Sequence, residues 1–232
     1  MSKALVIGAS SGIARALIAE LERHNKQVFS VSRSELARPR HWVMDYSDLA
    51  VAKWCDDINA QGHQFEFVYI CNGMLHDDQV SPEKSLNAFD QSAFFQVMQC
   101  NTVTPMWWLS NVSKLLARKS HNVITVFSAR VGSISDNKLG GWYSYRASKA
   151  ALNMLTKTAA IELRRTHKQS KVLLFHPGTT DTKLSKPFQK NVPSEKLFSP
   201  EFVAERLYQL SCEKDDLPPF GYFDWEHKTI EF

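Results

Sequence analysis

With 232 residues, 44% hydrophobic and 22% charged, the chain can bury a full core and has the composition of an ordinary soluble domain. Its net charge of +4 is mild and no Lys/Arg block appears, which argues against a nucleic-acid partner. No apolar run approaches the ~20 residues of a membrane span. Four scattered cysteines, without metal-ligand or CxxC spacing, fit reduced thiols in the cytoplasm.

The first apolar run, ALVI at 4–7, starts so close to Met1 that no signal peptide is expected. It leads into GASSGIARALIAEL, where Gly8 can make a tight turn and Gly12 can open a helix over 12–24. The free N–H groups of that helix end would face an anion such as a pyrophosphate. The next strand, 27–32, ends on Ser32 and Arg33. NAD-binding units place an acid there for the ribose hydroxyls, whereas an arginine can form charge-assisted bonds to a 2′-phosphate. With Arg15 adding positive charge, NADP(H) is expected over NAD(H).

Further strands are expected at 41–44, 65–71, 122–128, 171–176 and 220–223, and helices at 48–60, 92–119, 145–167 and 200–212. Strands apolar almost throughout, alternating with helices, predict a sheet covered on both faces. The expected fold is one doubly wound, Rossmann-type domain over 1–232, with a mostly parallel seven-stranded sheet. Residues 177–199, rich in Pro, Ser, Thr and Lys, fit neither element and follow a strand end, so they read as an active-site lid. Trp107, Trp108, Leu115 and Leu116 stud the long helix before the fifth strand, mostly as core. His76, Asp77 and Asp78 show no metal-binding pattern, and no metal is assigned.

Of six tyrosines, only Tyr145 is followed by a lysine four residues on, Lys149. On a helix the two share one face. A lysine charge about 5 Å away at an effective dielectric of roughly 20 is worth about 3 kcal/mol. That would bring the phenol down by roughly two from its ordinary pKa near 10, making a general acid/base.

In order and spacing, GASSGIA, MDYSD (44–48), CNGM (71–74), CNTVTP, YRASK and HPG (176–178) resemble the motifs of the short-chain dehydrogenase/reductases. The pattern ARVGSISDNKLGGWYSYRASKAALNM is similar to the C-factor and sniffer-like carbonyl reductase branch. The resemblance implies cofactor contacts at Gly8, Ser10, Ser11, Gly12, Ile13, Ser32, Arg33, Asp45, Asn72, Gly73, Pro177, Gly178, Thr180 and Thr182. It implies Tyr145 as proton donor to a carbonyl oxygen, Lys149 on the nicotinamide ribose, and Asn101 on a relay water. The substrate-polarising serine is expected at Ser133 by spacing, with Ser128 as the alternative, because the Ser-Ser-x-x-Gly alignment falls on Ala129. A carbonyl or alcohol substrate and a homodimer or homotetramer follow from the same resemblance. A C-factor-like, dinucleotide-binding signalling protein with little catalysis is the alternative.

Overall fold

The computed structural model describes residues 2–232. In chain order the elements begin with β1 (Lys3–Ile7), α1 (Gly12–Arg23), β2 (Gln27–Ser32), β3 (His41–Val43), α2 (Asp48–Ala60) and β4 (Phe67–Ile70). Then come α3 (Gln91–Met98), α4 (Thr104–Val112), β5 (Asn122–Phe127), α5 (Tyr143–Leu163) and β6 (Ser170–His176). The last are β7 (Thr179–Thr180), β8 (Leu197–Phe198), α6 (Pro200–Cys212) and β9 (Phe220–Asp224). Seven strands form one sheet in the order β3-β2-β1-β4-β5-β6-β9, every neighbouring pair parallel. This is the doubly wound, Rossmann-type sheet expected.

Alternate strand residues feed two cores, because successive side chains point to opposite faces. Leu5, Ile7, Val68, Ile70, Ile124 and Val126 pack against α2, α4 and α5, where Trp54 and Trp108 meet edge to face. Ala4, Val6, Phe67, Tyr69, Val123 and Phe127 pack against α1 and α6. Burial on both faces explains why these strands read as continuous apolar runs.

The expected helix over 92–119 is interrupted. Between α3 and α4 the turn Gln99–Val103 is a π-helix, and the chain leaves the α-helix at Val112. Pro105 has no N–H to donate to the preceding turn, so the ladder slips there. Asn101 sits in this turn and bonds across to another segment instead. The 177–199 segment is not structureless: β7 and β8 pair in parallel, and 3₁₀ turns span Lys186–Asn191 and Ser194–Lys196.

Candidate active site

The carboxyl ends of β1, β2, β4, β5 and β6 open onto one cleft, the position where open α/β sheets bind ligands. Two contiguous chambers occupy it, of about 640 and 490 Å³, sharing Asn72, Gly73, Lys183 and Leu184. Arg33, Asp45 and Tyr46 line the larger chamber. The smaller one is walled by the α1 turn from Ser10 to Ile13, by Pro177 and Thr182, and by Ser128, Tyr145 and Lys149.

The glycine turn is shaped by close approach. Gly8 has φ +78°, and a Cβ there would lie 3.0 Å from the Cys71 carbonyl carbon. Its N–H donates to the Val31 carbonyl at 2.9 Å and to the Tyr46 hydroxyl at 3.2 Å. A Cβ on Gly12 would meet the Thr182 methyl at 3.0 Å. Ser11 Oγ caps α1 by accepting from the Ala14 N–H, at 3.3 Å.

Lys149 is buried and its Nζ donates to the Phe127 carbonyl at 2.9 Å, with Nζ 5.9 Å from the Tyr145 ring centroid. A Cβ on Gly73 would come within 3.3 Å of Asn101 Oδ1 and 3.4 Å of Lys149 Nζ, so both groups converge on one point. Asn101 Oδ1 accepts from Met74 N at 2.7 Å, and its Nδ2 donates to Met74 O at 2.9 Å and Ser148 Oγ at 3.1 Å. The π-turn thereby holds the Asn72–Gly73 segment in place.

Burial dominates the electrostatics of the pair. It drives the Tyr145 phenol above its ordinary range, with Tyr222 adding to the rise, and pushes Lys149 down to about 8. The sequence-based expectation that the lysine would lower the phenol is therefore reversed in this cleft. Desolvation penalises each charged form more than either group helps the other. Tyr145 is thereby kept in its proton-donating form.

Ser128 directly follows β5 on the chamber wall, and its hydroxyl donates to Asn153 Oδ1 at 2.6 Å. Ser133 is turned into its own loop, bonded to Ser135 Oγ at 3.2 Å and accepting from Asp136 N at 3.2 Å, and it is not part of the wall. Ser32 donates inward to the Ser34 carbonyl, and Thr180 is buried beside Ser185. Gly178 has φ +70° and is packed under Phe198 and Trp225. Asp77 Oδ1 accepts from the N–H groups of Gln79 and Val80, a local turn role.

Two contributors escaped the sequence reading. Tyr46, with φ +66°, ties the Gly8 turn to β2 through its hydroxyl, which also donates to the Val31 carbonyl at 3.3 Å. Glu83 is buried, and both carboxylate oxygens accept from Ser144 N at 3.2 Å, at the start of α5. Neither has a local spacing signal, since each acts on a distant segment.

The cleft fits a dinucleotide. Asn72 Oδ1 is buried where the two chambers join and has no hydrogen-bond partner among the described residues. The pattern of the short chain dehydrogenase family matches residues 2–193. The chain belongs to this family of oxidoreductases. It is similar to the 1-hydroxy-2-glutathionyl-2-methyl-3-butene dehydrogenase of Rhodococcus sp. (strain AD45), 30% identical across 100% of this chain and 99% of that one. A short-chain dehydrogenase/reductase from Burkholderia multivorans with bound NADP superposes with a TM-score of 0.84, at 22% identity, over 100% and 99% of the two chains. The carbonyl reductase Sniffer of D. melanogaster does so at 0.83, with 18% identity and 100% of both chains. Both structures share the fold.

Proposed function

We propose that the protein is a cytoplasmic, NADP(H)-dependent carbonyl reductase, interconverting a carbonyl and an alcohol. The observation that carries this reading is the buried Lys149 beside the half-buried Tyr145, set in the same chamber as the α1 glycine turn. The NADP-bound Burkholderia structure and the carbonyl reductase Sniffer support it by shared fold. NADPH, when bound, supplies the hydride. Ser10, Ser11, Gly12 and Ile13 suit its pyrophosphate, Asp45, Asn72 and Gly73 its adenosine side, and Pro177 and Thr182 its nicotinamide side. Arg33 has no ion-pair partner among the described residues and lines the larger chamber, which suits a 2′-phosphate. Gly8, Gly178 and Thr180 shape the backbone beneath rather than the lining.

Tyr145, held protonated by burial, gives its proton to the carbonyl oxygen in the reductive direction. Lys149, the ammonium beside the phenol, returns a proton toward it, and Asn101, which meets Lys149 above Gly73, would hold the water that resupplies Lys149. Ser128, already on the wall, is the hydroxyl that polarises the carbonyl oxygen, in preference to Ser133, by turning its proton from Asn153 Oδ1 to the substrate. The 177–199 segment acts as the lid, with Thr182 to Leu184 on the chamber wall. Phe95, Val103, Met154, Leu155 and Ile161 leave apolar surface exposed on the outer helices, and we assign them to a homodimer or homotetramer interface.

The test is NADPH oxidation across a panel of aldehydes and ketones, with native protein and Tyr145→Phe. Loss of the phenol should lower kcat/KM by about 10²-fold or more. Full activity in Tyr145→Phe would reject the mechanism. Tight NADPH binding with no turnover of any carbonyl would reject the enzyme reading in favour of a signalling protein.

A further inference from the structure

Three aromatic side chains extend from Tyr145 toward the lid. Trp142 stands one helical turn before Tyr145, their ring centroids 6.1 Å apart at 74°. Phe188, in the lid turn Lys186–Asn191, meets Trp142 at 5.3 Å and 62°. His76, from the loop after β4, meets Phe188 at 5.6 Å and 68°. His76 Nε2 also lies 3.2 Å from the Leu184 carbonyl, joining that loop to the lid. Three segments far apart in sequence thus converge on one row of edge-to-face rings that starts at the proton donor.

The row is not scaffold. Trp142, Phe188 and His76 are each half-buried, and none belongs to either of the two cores on the faces of the sheet. Trp142 is moreover held in a costly conformation. Its φ is +53°, a genuine outlier for a bulky residue, and it follows Gly140 and Gly141 at +67° and +63°. The Trp142 N–H donates to the Glu83 carbonyl at 2.6 Å, while the Glu83 carboxylate accepts from the Ser144 N–H and hydroxyl. Backbone strain of this kind persists only where the surroundings over-determine it, and it concentrates at ligand clamps. Here the strain aims the indole at the side of Tyr145.

The charges around the row do not select an acidic substrate. Lys186 is 3.5 Å from Asp181, which offsets it, Lys190 is exposed, and Lys183 on the wall of the larger chamber shares that wall with Asp77. The uncharged lining nearby is Met74 and the half-exposed Leu184. Rings set edge to face favour a further ring over a saturated group of equal size, because the positive edge of one meets the negative face of the next.

We propose that the substrate carries an aryl group beside its carbonyl, and that Trp142, Phe188 and His76 form the subsite that holds this ring. The proposal rests on the carbonyl-reductase reading. Its test compares benzaldehyde with cyclohexanecarboxaldehyde, alike in shape but not in aromaticity, as a ratio of kcat/KM values in native protein, Phe188→Leu and Trp142→Leu. The ratio cancels effects common to both aldehydes, including their handling by Tyr145. It should fall about tenfold in each variant, through loss of rate on benzaldehyde. Calorimetric titration with benzyl alcohol and cyclohexylmethanol gives a second readout without turnover, and native protein should prefer the aryl alcohol by a similar factor. Turnover with an unchanged ratio, and equal binding of the two alcohols, would leave the row as a lid clasp and overturn this inference alone. No turnover of any carbonyl would overturn it together with the reading beneath it.

Discussion

Gly8, Asn72 and Gly73 stand at the ends of β1 and β4, whereas Glu83, Trp142 and Phe188 come to Tyr145 from loops. At the nucleotide end, position follows from strand register: Ile7 pairs with Val31 on one side and Ile70 on the other, and the turn residues follow directly. At the substrate end, position depends on bonds between segments, such as Trp142 N–H to the Glu83 carbonyl. A family can therefore keep one cofactor wall and vary its substrates through loops that the sheet does not constrain. The two ends should fail separately when substituted.

Gly8→Ala should produce the largest separation. An L residue in the left-handed region costs roughly 1–2 kcal/mol. The added Cβ also presses on the Cys71 backbone at 3.0 Å, where nothing flexible can yield. We expect a loss of about 2 kcal/mol, or roughly thirtyfold, divided between thermal stability and NADPH affinity. KM for the carbonyl at saturating NADPH should stay within about twofold of native. An equal rise in carbonyl KM would mean that the two ends are mechanically one.

Arg33→Ala is a finer cut within the nucleotide end. Removal of one charge-assisted contact to a phosphate should weaken NADPH binding about tenfold and leave NADH binding unchanged. Equal affinities for the two nucleotides, unmoved by the substitution, would cancel the NADP preference.

The same contrast explains what could be read from sequence. The seven strands, the Gly8 turn and the Tyr145–Lys149 spacing are local patterns, and each matches its structural place. The break in the 92–119 helix was half-written: Pro105 is visible, but the Asn101 bond to Met74 crosses between segments. Ser128 and Ser133 could not be separated by counting back from Tyr145. What distinguishes them is that one hydroxyl closes a strand on the cleft and the other caps its own loop. Glu83 and Phe188 carry no spacing signal, because each meets its partners through tertiary contact alone.

The charge on Lys149 should give the smallest effect on turnover and the most direct reading of burial. Desolvation lowers this ammonium from 10.5 to about 8 in the folded chain. Between about 8 and 10.5 the unfolded chain therefore holds a proton that the folded chain has lost. Where the unfolded state binds more protons, stability rises with pH. The Lys149 contribution is thus complete above about 10.5 and is lost as pH falls through about 8. Tyr145 acts in the opposite sense: its raised phenol favours the folded state until pH climbs past 10. Chemical denaturation of native protein and Lys149→Met from pH 7 to 10 separates the two, since only the lysine term differs between them. The native-minus-variant difference should rise with pH, by at most about 1.4 kcal/mol per pH unit. In the native enzyme the same titration should lower carbonyl reduction about twofold between pH 7 and 8, as half the ammonium is neutralised at its pKa. A flat stability difference would show that Lys149 keeps its ordinary proton affinity and that its bond to the Phe127 carbonyl, rather than desolvation, sets its state.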